Sequence, residues 1–127
     1  MGTSDTSFEV LPRTVGGALV LAFSGELDAW AALQLSPQVA VLIARPRPDV
    51  IMDLRRVTFL DAGGLRLLLT VRDRVAARQG VLRVLPAAPR VWRVVHITGL
   101  EGEFPVAEGI PDDSRRPDPP MTATSPG

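Results

Sequence analysis

The sequence predicts an α/β sandwich, a mostly parallel β-sheet with an antiparallel first strand and helices after strands 2, 3 and 4, in the order β-β-α-β-α-β-α-β. Three observations carry that reading. Short apolar runs rich in β-branched residues alternate with longer stretches whose apolar residues recur at helical spacing. Gly16-Gly17 separates the first two apolar runs, where a hairpin turn belongs, so strands 1 and 2 should pair antiparallel. From Val50 to Gly80 the chain reads strand, Gly-containing turn and helix, and each later strand-helix-strand unit implies a right-handed parallel crossover.

Length and composition bound the answer. A chain of 127 residues is one domain and can bury a core without staples. There is no Cys, which excludes disulfides, thiolate metal sites and cysteine nucleophiles. Fourteen basic residues, all Arg, balance fourteen acidic ones, so neither a nucleic-acid nor a membrane surface is indicated. No apolar run is long enough to span a bilayer and Met1–Asp5 does not read as a leader, so no membrane insertion and a cytoplasmic location are expected.

Residues 1–7 are polar and read as a flexible start. Phe8–Leu11 is the expected antiparallel partner of Ala18–Ser24, which is apolar enough for a central strand. Gly25-Glu26-Leu27-Asp28 breaks that strand. Leu35, Val39 and Ile43 then fall at helical spacing, with Pro37 among them. Inside a helix a proline costs about 3 kcal/mol, so either the helix starts near Ala31 and kinks, or Ser36 caps it with Pro37 at its first position. The second reading is preferred, with Ala29–Leu35 as an irregular lead-in. Arg45-Pro46-Arg47-Pro48 ends the helix.

Val50–Leu54 reads as a buried strand and Asp61-Ala62-Gly63-Gly64 as the turn into a helix of about four turns that stops at Gln79-Gly80. On that helix Leu65, Leu68, Leu69, Val71 and Val75 form the core arc, with Ala76 at its edge, while Arg66, Thr70 and Asp73 lie opposite. Arg72 sits within the apolar arc with its guanidinium free to snorkel. Val81–Leu85 is the next strand. Pro89 can open a helix that turns Val91, Trp92 and Val95 inward and ends at Gly99. Phe104-Pro105-Val106 suits an edge strand. Residues 108–127, rich in Pro and charge, read as a disordered tail, leaving 8–107 as the domain.

Four pieces in this order carry a resemblance: Gly25-Glu26-Leu27-Asp28; Asp53-Leu54 with Val57 through Leu65; Val94 through Leu100; and Phe104-Pro105-Val106. Over about residues 8–107 the chain resembles the STAS domain of bacterial anti-sigma factor antagonists. The resemblance implies a partner-binding protein, not an enzyme. Such a protein binds an anti-sigma factor, often a kinase-fold one, and so releases a sigma factor and regulates transcription. In switching members the turn after the third strand carries a Ser or Thr phosphoacceptor, and phosphate adds about −1.5 to −2 charge there. Asp61, Gly64 and Leu65 match that pattern. Gly63 stands at the phosphoacceptor position and has no hydroxyl, so a phospho-switch at the usual site is not expected.

The residues give the turn a physical role of their own. Asp61 can cap the helix through the N–H of Gly63 or Gly64, whereas a bound phosphate at the same Gly-rich start would face its carboxylate. The bare backbone at Ala62, Gly63 and Gly64 would admit a partner's backbone or serve turn geometry alone. Arg66, exposed one turn on, is either a partner contact or part of a solvated face. Asp28 either joins the docking face, as the resemblance implies, or caps the next segment. Trp30 is either an interface anchor or core. No dinucleotide or P-loop signature is present, no cofactor is called for, and His96 has no companion ligands for a metal. An enzyme is disfavoured for want of a nucleophile and base. The alternative to sigma-factor control is a STAS module serving as scaffold in a stress-signalling assembly or as accessory subunit of a lipid-transport ATPase.

Overall fold

The structure is a computed structural model and describes residues 7–110. Its elements are β1 (Phe8–Val15), β2 (Ala18–Leu27), α1 (Ala29–Leu42), β3 (Asp49–Leu60), α2 (Ala62–Ala77), β4 (Val81–Leu85) and α3 (Pro89–Ile97), followed by a 3₁₀ turn at Glu101–Glu103. The sheet order is β1-β2-β3-β4. β1 runs antiparallel to β2 across the Gly16-Gly17 hairpin, and β2, β3 and β4 are parallel, as the sequence predicts.

Three strands outrun their predicted ends, while β4 keeps its predicted bounds. β1 continues through Pro12, which an edge strand tolerates because its missing N–H need not face a neighbour. β2 does not break at Gly25: the backbone there takes φ +88°, the pairing with β3 slips, and Glu26 N–H donates to Ser7 C=O at 2.7 Å. β3 extends past Leu54 to Leu60, carrying Arg55 and Arg56 as exposed residues among buried Leu54, Val57 and Leu60. The final edge strand shrinks to a single parallel bridge, Val84 to Val106. There Val84 N–H donates to Pro105 C=O and Ala107 N–H to Val84 C=O, both at 2.8 Å.

α1 corrects the preferred reading of Pro37. Asp28, not Ser36, is the N-cap, and Pro37 lies inside the helix. The fold accepts it because Leu33 and Pro37 are both exposed, so the carbonyl left without its N–H partner faces the solvent side. Ala31, Leu35, Val39 and Ile43 form the buried stripe, one residue per turn. Ala31 extends the predicted triplet by one turn toward the N-terminus.

Strand alternation sorts the core into two clusters. The larger joins Leu19, Leu21, Phe23, Val50, Met52 and Leu54 of the sheet to all three helices. On the opposite sheet face Val15, Ala18, Val20, Ile51 and Leu85 form a small cluster covered by Ala107 and Ile110. The predicted flexible segments 1–7 and 108–127 fall largely outside the described residues. Ser7 holds β2 as above, and Ile110 packs on the small cluster. Among the described residues no helix is long and apolar enough to cross a membrane.

Candidate functional site

Parallel pairing aligns Leu27 with Leu60, so β2 and β3 end together and α1 and α2 start side by side at the carboxyl edge of the sheet. Open α/β sheets place their binding surfaces at this edge. Each helix begins with an aspartate in extended backbone conformation. Asp28 Oδ1 accepts from Ala31 N–H at 2.9 Å, and Asp61 Oδ1 accepts from Gly64 N–H at 3.0 Å. Both satisfy an otherwise orphan helical donor, a contribution of about 1 kcal/mol each. Asp61 thus takes the capping role expected of it. Asp28 is placed beside it, as expected, and takes the capping alternative.

The glycines between them serve internal packing. A Cβ on Gly63 would lie 2.6 Å from both Cα and N of Ala29, the first residue of α1. On Gly64 it would lie 1.9 Å from the carbonyl oxygen of Leu27. The close approach that the bare backbone permits is therefore made by this chain's own α1 and β2. Gly64 is buried and shapes the corner without presenting surface, a correction to its place among the contact residues. Ala62 is exposed, and Gly63 is half-buried against α1.

Two further expected residues line the outside of the corner. Arg66 is exposed and forms no ion pair among the described residues. It borders a groove between α1 and α2 floored by Ala32, Gly63, Leu67 and Thr70. Trp30 is 61% exposed, which removes the core alternative. Trp92 does turn inward, half-buried, with its ring edge-to-face on Phe104 at 6.0 Å.

Sequence reasoning missed Leu67, which is buried because it faces α1 and not the sheet. It also missed exposed Leu33 on α1, and Phe59 and Ile97, which flank a second groove between the end of β3 and α3. An α1 begun at Asp28 would have revealed Leu33. Ala76, placed at the edge of the core arc, is exposed. Arg72 snorkels as expected, its guanidinium held by Asp73 and Glu103. His96 pairs with Glu101. Among the described residues no three His, Cys, Asp or Glu gather as metal ligands would.

A family model for the STAS domain matches residues 9–112. The chain belongs to the STAS domain family. This STAS domain is 30% identical over 93 residues to BtrV of Bordetella bronchiseptica, named as an anti-sigma factor antagonist, covering 73% of this chain and 80% of that protein. The solved anti-sigma factor antagonist of Mycobacterium paratuberculosis superposes with a TM-score of 0.71 at 29% identity, over 81% of this chain and 87% of that one. The antagonist SpoIIAA in its unphosphorylated form superposes with a TM-score of 0.65 at 25% identity, over 78% and 88% of the two chains. These three relatives of this STAS domain carry the name of anti-sigma factor antagonists, in line with the four sequence motifs. At the corner formed by Asp28, Asp61, Ala62, Gly63 and Arg66 the structure presents two capping carboxylates, exposed Ala62 and a guanidinium, that of Arg66, without an ion pair among the described residues.

Proposed function

We propose that this STAS domain is an anti-sigma factor antagonist that binds a kinase-fold anti-sigma factor at the Asp28/Asp61 corner, releases a sigma factor, and is not switched by phosphorylation at position 63. The antagonist relatives support the partner class. One observation carries the absence of the switch. Gly63 has no hydroxyl, and the space where a side chain would start is taken by the backbone of Ala29. The docking contacts fall to Ala62, Gly63 and Arg66, with Asp28 and Asp61 holding the two helix starts in register and Trp30 beside them.

The test is capture from native extract by the wild type and by Arg66→Glu, which alters only exposed surface. Gly63→Asp would be a poor choice, because its Cβ collides with α1 and a loss of binding could come from misfolding. Capture of an identified anti-sigma factor by the wild type, reduced about tenfold or more by Arg66→Glu, supports the reading. Capture of a transport permease or its ATPase instead would sink it. Stoichiometric phosphate in a peptide spanning Val57–Arg66, after incubation with the captured kinase and ATP, would overturn the unswitched part alone.

A further inference from the structure

α1 is apolar on two sides. Its inner stripe is in the core, yet its outer side presents Trp30 (61% exposed), Leu33 (66%) and Val41 (76%), with exposed Pro37 between them. These positions recur at intervals of three and four residues and form one straight stripe along the helix. No charged residue occurs from Ala29 to Leu42 to keep that stripe solvated. With its margins it exposes on the order of 500 Å² of mostly apolar surface, in the upper part of the range for the largest patch on a monomer.

We infer that a second copy of this chain covers the outer stripe of α1, the two helices packing antiparallel about a two-fold axis near Pro37. Two features select this occupant. Two such stripes bury roughly 1,000 Å² in total, the lower bound for a specific interface, which gives a weak and concentration-dependent dimer. The ends of the helix are complementary in an antiparallel pair. About that axis bulky Trp30 at one end meets Ala44 at the other, Leu33 meets Val41 as an apolar pair, and Asp28 at the start meets Arg45 just beyond the end. Arg45 forms no ion pair among the described residues, and Asp28 uses only one carboxylate oxygen in its cap. A two-fold axis makes each of these contacts twice.

The dimer does not depend on the sigma-factor reading. Because α1 begins at the docking corner, dimer formation and partner binding draw on neighbouring surface. Sedimentation velocity of the full chain from about 1 to 200 μM tests it, with a dimer expected to form in the tens of micromolar, the range of weak contacts of this size. Leu33→Glu and Val41→Glu, both at exposed positions and each verified as folded by circular dichroism, should remain monomeric throughout. Arg45→Glu should weaken the dimer several-fold. A wild type that stays monomeric at 200 μM overturns the inference, as does a dimer that persists in both Glu variants. A dimer indifferent to Arg45→Glu overturns the antiparallel arrangement.

Discussion

Helices α1 and α2 leave neighbouring parallel strands at the same edge of the sheet, each with an aspartate bonded to the N–H three residues on, yet their outer sides differ in kind. α1 shows Trp30, Leu33 and Val41 to solvent, whereas α2 shows Arg66, Asp73 and Arg74. The shared part is what the fold demands: strand register sets where both helices begin, the caps satisfy their first donors, and the inner stripes fill one core. The outer sides are free of those demands. Their composition therefore separates the two helices, charged for most of α2 and apolar along α1.

The contact between the helix starts is the sharpest place to break this pairing. Gly64→Ala should have the largest effect, roughly 3 kcal/mol or more of lost stability, because its Cβ would enter the carbonyl oxygen of Leu27. A shift in the urea midpoint measures it. Gly63→Ser should cost about 1–3 kcal/mol, since α1 can shift where β2 cannot. Adding Ala29→Gly should not restore the loss, because the Cα and N of residue 29 remain in the way. A Gly63→Ser variant as stable as the wild type would show that the helix starts are not in the tight contact described.

The two caps should be nearly equal. Asp28→Ala and Asp61→Ala should each lower stability by about 1 kcal/mol in urea unfolding, and a large asymmetry would show that one aspartate does more than cap. The smallest effect lies away from both helices, on β3. Burial pushes the Asp53 carboxyl up, but the Arg55 guanidinium and backbone N–H, with Arg56 nearby, outweigh it and hold the pKa below the usual aspartate range. A depressed folded-state pKa contributes stability that is present above the unfolded value and is lost as pH falls through the folded one. Urea midpoints measured from pH 5 down to 2 should therefore show a shallower acid decline in Arg55→Ala than in the wild type.

The fold class, the strand partners and the Asp61 cap were legible because they rest on local signals: periodicity, the Gly16-Gly17 hairpin, and an aspartate three residues before its target. Where the sequence misled, a local rule met a tertiary circumstance. Pro37 argued for a helix start, but its outward position in α1 removed the reason to avoid it. Gly25 argued for a strand end, but β2 absorbed its positive φ as an irregularity and went on. The bare backbone at Gly63 left partner approach and turn geometry both open, and only the through-space approach of Ala29 shows that its Cβ side is filled from within. Trp30 and its stripe stayed ambiguous because a helix placed after Ser36 gives Trp30 no face to belong to.

The Gly63–Ala29 contact also bears on the history open to this chain. A hydroxyl introduced at position 63 arrives in a space already filled by backbone, so that single mutational step passes through a less stable protein. The start of α1 must withdraw first, a change with no benefit of its own until the second step follows. The contact thus favours glycine at the turn on packing grounds alone, whatever docks on its outer side.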